Sequence, residues 1–125
     1  MLLNLTDLSD EPLQTQIWRQ IRANILTGEL TAGLMLPSIR QLARDQRVSV
    51  ITVQRGYEAL EREGLIHSRR GKGFFVVEVH DHDKKLLAEQ KLFDNLEPVI
   101  KIAKDEGMSE EEIRSIVEKA LGNKG

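Results

Sequence analysis

Cysteine is absent from this 125-residue chain, which removes disulfides, thiolate metal sites and cysteine nucleophiles at once. A chain without thiols suits a reducing cytoplasm, and the cytoplasm is the expected compartment. No apolar run approaches the roughly 20 residues of a membrane span. The first residues also lack the basic start and apolar stretch of a secretory signal, so no membrane partner is expected. Aromatics make up only 4% of the chain, too few for a platform that stacks single-stranded bases. Trp18 and Tyr57 are expected in the core instead. No Ser, His and Asp residues follow a triad-like order, and no glycine-rich loop could cradle a phosphate. Neither an enzyme nor a cofactor is therefore expected. His80-Asp81-His82-Asp83 reads as a polar linker rather than a metal site.

What is present is an ordinary globular composition, 40% apolar and 30% charged, with an uneven distribution of charge. The net charge of −2 hides a basic stretch from Ser38 to Gly73. There Arg40, Arg44, Arg47, Arg55, Arg62, Arg69, Arg70 and Lys72 face only four acids, Asp45, Glu58, Glu61 and Glu63. From His80 onward the balance reverses, and lysine replaces arginine as the main cation. Arginine offers a planar fork for phosphate and guanine, whereas lysine is the commoner solvating charge on a helix. The change places a boundary near Val79 to Asp83, with a first domain over residues 1–79 and a helical tail over 80–125.

Apolar residues at Leu13, Ile17, Ile21 and Ile25 recur at four-residue spacing, with Trp18 and Leu26 beside them, and predict a helix from about Pro12 to Gly28. Asp10 is its expected cap. Ser38 is placed to cap a second, short helix whose Ile39, Leu42 and Ala43 turn inward. After Gln46-Arg47-Val48, Ser49 caps a third helix running to about Glu63, with Val53, Gly56, Tyr57 and Leu60 on one face and Ile51, Arg55, Glu58 and Arg62 opposite. Two short amphipathic helices joined this closely form a helix-turn-helix pattern. Leu65–Ser68 and Phe74–Val77 then flank Arg69-Arg70-Gly71-Lys72-Gly73 as a basic hairpin. A basic hairpin directly after a helix-turn-helix has the look of a DNA-binding wing. The fold class expected is mainly α with a small β-hairpin.

In the tail, a helix from about Asp83 to Glu106 carries Leu86, Leu92, Phe93, Leu96, Val99, Ile100 and Ala103 as a broad apolar stripe. Pro98 lies inside it and predicts a kink or break. Ser109 and Glu112 spell a capping box for a last helix, with Met108 stapling onto Ile113. Ile113, Ile116, Val117, Ala120 and Leu121 follow as one apolar face.

Leu36-Pro37-Ser38-Ile39-Arg40-Gln41-Leu42-Ala43, then Val48-Ser49, Thr52-Val53, Tyr57, Leu60, Glu63-Gly64-Leu65-Ile66 and Gly71-Lys72-Gly73 resemble the N-terminal domain of GntR-family repressors. The resemblance spans Pro12 to Val77. The two short tail helices resemble the YtrA-like subfamily, whose tail mediates dimerisation and which lacks a large effector domain. Val50, Ile51 and Phe74 depart from the residues common in the family, where polar or basic side chains and a threonine often stand.

The resemblance implies a winged helix-turn-helix protein that binds double-stranded operator DNA as a homodimer, with repression as the default outcome. It puts Arg40 at the DNA, Ser49, Thr52 and Gln54, with Arg55 beside them, at the DNA-facing start of the reading helix, and Arg70 and Gly71 at a wing tip that enters the minor groove. From their own positions, Ser38 and Arg44 at the start of the second helix, Val50 as a partner for thymine methyls, and Arg69 and Lys72 in the basic hairpin join the expected DNA-binding residues. Major-groove readout needs this mixture of fork, hydroxyl, amide and methyl groups. Phe93, Leu96, Ile100, Ile113, Ile116, Val117 and Ala120 are the expected dimerisation residues. Three other readings remain open at this point. Arg55 and Arg62 could pair with Glu58 or Glu61 on a solvated face. The domain could be a protein-interaction adaptor that reads no DNA. A small hydrophobic effector could bind near Phe93 and Trp18.

Overall fold

The computed structural model describes residues 1–123 and contains five helices and one antiparallel hairpin among them. Their order is α1 (Leu13–Leu26), α2 (Ile39–Gln46), α3 (Val50–Arg62), β1 (Ile66–Arg69), β2 (Gly73–Val76), α4 (Asp81–Asp105) and α5 (Glu110–Ala120). Two compact units result, Met1–Lys84 and Lys85–Gly125.

In the first unit the apolar stripe of α1 supplies the floor of the core. Ile17, Ile21 and Ile25 are buried there together with Val53, Tyr57 and Leu60 of α3. Gly56 is what allows α1 and α3 to come so close, because a Cβ at that position would lie 2.8 Å from Cγ2 of Ile17. Burying a side chain of this size contributes roughly 1.5–3 kcal/mol, so this seam dominates the unit.

Helix ends follow local chemistry. The Ser38 hydroxyl accepts from the Gln41 amide, and the Ser49 hydroxyl accepts from the Thr52 amide. Gly64, at φ 78°, closes α3, its N–H bonding to the Glu61 carbonyl and that of Leu65 to the Leu60 carbonyl. Arg47 makes the same kind of ending for α2 at φ 56°, and it is the one described non-glycine residue with positive φ. α1 begins differently from expectation. Pro12 occupies the cap position with no side-chain bond, so Asp10 is not its cap.

The chain before α1 is tied along the helix at Asn4 and Thr6, then bends through residues 7–11. The Gln16 side chain accepts from the Thr6 amide and donates to the Thr6 and Glu11 carbonyls, while Gln20 exchanges the same pair of bonds with Asn4. Four helical residues rise about 6.0 Å and two extended residues about 6.6 Å, so two glutamines one turn apart match alternate residues of a strand. Trp18, expected in the core, is only half-buried. Its indole N–H bonds to Glu63, and the Arg22 guanidinium stands 5.6 Å from its ring. A polar edge that needs an acceptor explains why the ring stays at the rim.

The hairpin is tighter than expected. Ile66 pairs with Val76 and Arg69 with Gly73, which leaves only Arg70-Gly71-Lys72 at the tip. Met35 bridges to Phe75 on the other edge of β2, so the segment leading to α2 lines the wing.

In the second unit, α4 runs without a break through Pro98, so the break offered as one alternative does not occur. Asp94, Glu97 and Pro98 are all exposed, so water can hydrate the carbonyl that proline leaves without a donor. The capping box at Ser109 and Glu112 forms in full, and it holds the Glu112 carboxyl below its ordinary range.

Candidate nucleic-acid interface

The helix-turn-helix is positioned by Tyr57. Its ring is fully buried, its hydroxyl donates to the Pro37 carbonyl at 2.7 Å, and Phe74 of the wing meets it edge-on at 5.1 Å. One side chain thus joins the entry to α2, the body of α3 and β2. Burial pushes its phenol well above the ordinary range, so it remains a neutral donor. Phe74 stands where the family pattern often has threonine, and its ring supplies this contact. A second tie links α3 to the wing: the Glu61 carboxylate accepts from the backbone and hydroxyl of Ser68 at 3.1 and 3.0 Å.

Around these ties α2, α3 and the wing expose several cations that no carboxylate holds. Arg40, Arg44, Arg47, Arg55, Arg62, Arg70 and Lys72 are all exposed, and none forms an ion pair among the described residues. Neighbouring acids are engaged elsewhere. Glu58 accepts from Gln54 at 3.0 Å, Asp45 accepts from Gln41 at 2.8 Å, and Glu61 is held by Ser68. Pairing of Arg55 or Arg62 with Glu58 or Glu61, the open alternative, does not occur. Arginines of α1 behave in the opposite way. Arg19 grips Glu11 through two bonds, and the nearly buried Arg22 meets Glu63 at 3.1 Å.

The other expected contact residues divide by what already occupies them. Ser38 and Ser49 are exposed but serve as caps, and Thr52 shares a 2.8 Å hydroxyl bond with Ser49. Val50 and Ile51 are 45% and 56% exposed, so neither is taken up by packing on a neighbouring helix. Gln54 keeps its carbonyl oxygen unengaged. Gly71, at φ 74°, turns the wing tip, and Arg69 is bound to its own hairpin rather than free. Arg47 and Glu61 were missed by sequence reasoning. Position gave a signal for Arg47, a basic residue in the turn between two capped helices. None existed for Glu61, whose partner lies in another element.

The tail residues expected to dimerise are spread along α4 and α5. Phe93 and Ile116 are 56% and 55% exposed; Leu96, Ile100 and Val117 are half-buried, and Ala120 is exposed. Ile113 is already covered within the tail. Among the described residues no helix is long and apolar enough to cross a membrane, and no group of three His or acidic residues could hold a metal. A groove beside Trp18, lined by Gln14, Thr15, Arg55 and Ala59, measures only about 100 Å³, well under the roughly 300 Å³ at which ligand pockets begin.

A helix-turn-helix tied to a short hairpin, with unpaired cations on both, defines a winged-helix DNA-binding transcription regulator. Comparison with known proteins makes the assignment specific. Residues 13–76 match the family model for bacterial regulatory proteins of the gntR family. The chain is 35% identical over 108 residues to the HTH-type transcriptional regulator YhcF of Bacillus subtilis (strain 168), covering 84% of this chain and 86% of that protein. It is 34% identical over 91 residues to the HTH-type transcriptional repressor YtrA of the same organism, covering 73% and 68% respectively. A solved GntR family transcriptional regulator from Listeria monocytogenes superposes with a TM-score of 0.72 at 31% identity, over 89% of this chain and 96% of that one. The protein belongs to the GntR family, with YtrA among its relatives. Its relatives are transcription regulators, not enzymes, and membership sets aside the adaptor that reads no DNA.

Proposed function

We propose that this protein is a homodimeric repressor that holds two winged domains over an inverted-repeat operator. In this reading Arg40 and Arg44 bind phosphates, and the start of α3 enters the major groove. Ser49, Val50, Thr52, Gln54 and Arg55 then face base edges, while Arg70, Gly71 and Lys72 reach the adjacent minor groove. One observation carries it: among the described residues the exposed cations of α2, α3 and the wing form no ion pair, whereas Arg19 and Arg22 of α1 do. Such charges are free to displace counterions from a duplex. The exposed apolar side chains of the tail support self-association, and relatives named as repressors support the sign of regulation.

Selection of bound sequences from a random DNA pool tests the reading, because it reports affinity, preference and half-site spacing together. The expected product is a palindrome whose half-sites lie about one helical turn apart or a multiple of it. Arg40→Ala and Arg70→Ala should each weaken binding to that product and flatten its salt dependence. Unchanged affinity in both variants would place the DNA face elsewhere. Replacing Ile116 and Val117 with Asp should yield monomers in sedimentation; a dimer that persists would move the interface to another part of the tail.

A further inference from the structure

The wing has a weak last rung. Arg69 pairs across the hairpin with Gly73, which has no side chain, so the cross-strand contact that normally holds a rung is missing next to the tip. The tip itself contains Gly71 at φ 74°, followed by Gly73 at φ 118°, and two such glycines leave the backbone few steric limits. Yet Arg70 and Lys72 must be presented from this turn.

Arg69 supplies what the rung lacks. Strand alternation sets Ile66, Ser68, Phe74 and Val76 on one face of the hairpin and His67, Arg69 and Phe75 on the other. His67 and Phe75 are direct partners, with rings 6.0 Å apart and 28° from parallel. The Arg69 side chain runs diagonally back from the tip, and its guanidinium carbon lies 4.8 Å from the Phe75 ring centre. Its Nε–H donates to Nε2 of His67 at 3.2 Å. Cation, ring and imidazole therefore form one stack on the outer face. Arg70 and Lys72, one step further, have no such partner.

We propose that Arg69 is a positioning residue that braces the wing through Phe75 and His67, so that Arg70 and Lys72 rather than Arg69 itself meet the duplex. This rests on the reading that the wing tip touches DNA. The sequence had placed Arg69 among the contact residues; here its charge acts on the hairpin, and its effect on DNA passes through the order of the tip.

The test uses the full chain and the DNA recovered by pool selection, with affinity measured by fluorescence anisotropy across a salt series. Arg70→Gln removes a contact charge and should lower the log–log salt slope by about 0.9. Arg69→Gln should weaken binding about two- to fivefold, the scale of one exposed cation–ring contact, and leave the slope unchanged. Phe75→Leu removes no charge yet should give the same loss, and the Arg69→Gln, Phe75→Leu double variant should be no worse than either single one. Without DNA, amide order parameters of Arg70–Lys72 should fall in Arg69→Gln from near 0.85 toward 0.6. A slope reduced by about 0.9 in Arg69→Gln, additive losses in the double variant, or a tip that stays ordered would each overturn the brace. If Arg70→Gln changes neither affinity nor slope, the DNA reading of the wing fails. The order parameters still decide the brace in that case, because they involve no DNA.

Discussion

The two units share a sequence pattern and differ in what becomes of it. Apolar residues at helical spacing mark α1 and α3 as clearly as they mark α4 and α5. In the first unit Ile17, Ile21, Val53, Tyr57 and Leu60 are wholly buried. In the second, Ile113 alone among the described residues is buried, while Phe93, Ile116 and Leu121 are 56%, 55% and 70% exposed. Periodicity therefore announces that a face exists and says nothing of what will cover it. The winged unit finds its cover within the same chain. The tail presents its apolar residues outward, the arrangement on which the proposed homodimer depends.

Paired truncations would break this contrast most forcefully. Ile21→Ala should cost about 2–5 kcal/mol in urea unfolding at any protein concentration. Ile116→Ala should be nearly neutral in dilute protein and grow costly as concentration rises, since a dimer is stabilised by mass action. A cost independent of concentration would mean that the tail is covered from within.

Close packing gives a second, smaller effect. Gly56→Ala would set a methyl 2.8 Å from Cγ2 of Ile17 and 3.3 Å from the Gln14 carbonyl oxygen. Overpacking of this kind costs about 1–3 kcal/mol, offset in part by the better helix propensity of alanine, and thermal melting should show a net loss. Retained stability would show that α1 can slide away from α3.

Local capping should matter in the tail more than packing does. Ser109→Ala removes the hydroxyl that caps α5 and should cost about 1 kcal/mol, read as lost helicity in circular dichroism. The smallest effect is a pH dependence. Because folding lowers the Glu112 carboxyl below its ordinary range, its contribution is present above the unfolded value and is lost as pH falls through the folded one. NMR titration of α5 amides should follow that loss, and Glu112→Gln should abolish it.

The same division between local and distant explains what was legible in the sequence. Ser38, Ser49 and the Ser109–Glu112 box act on backbone groups three residues away, so spacing alone reveals them. Asp10 failed as a cap because Pro12 stands at the cap position. Trp18 and Arg22 could not be placed because their common partner, Glu63, is more than 40 residues distant. Glu61 escaped for a related reason, since only the folded hairpin brings Ser68 to it. Pro98 was overestimated: one missing bond in a 25-residue helix with an exposed surface does not break it. Among the candidate contacts, charge type and position singled out the arginines. Which of them remain unpaired depends on where each acid is held, and that is a tertiary fact.

The clasp of Gln16 and Gln20 around Asn4 and Thr6 bears on where this protein can be cut. The family signature starts at Leu13, which invites an excised module beginning nearby. Such a fragment would strip the partners from the Gln16 amide, whose residue is only 2% exposed, and would uncover the site where Leu3 is buried. Water would take over those bonds, at a net loss of roughly 0.5–1.5 kcal/mol each, and the burial of Leu3 would be lost as well. The smallest autonomous version of the DNA-reading half thus reaches back beyond its recognisable motif, to Leu3 or earlier.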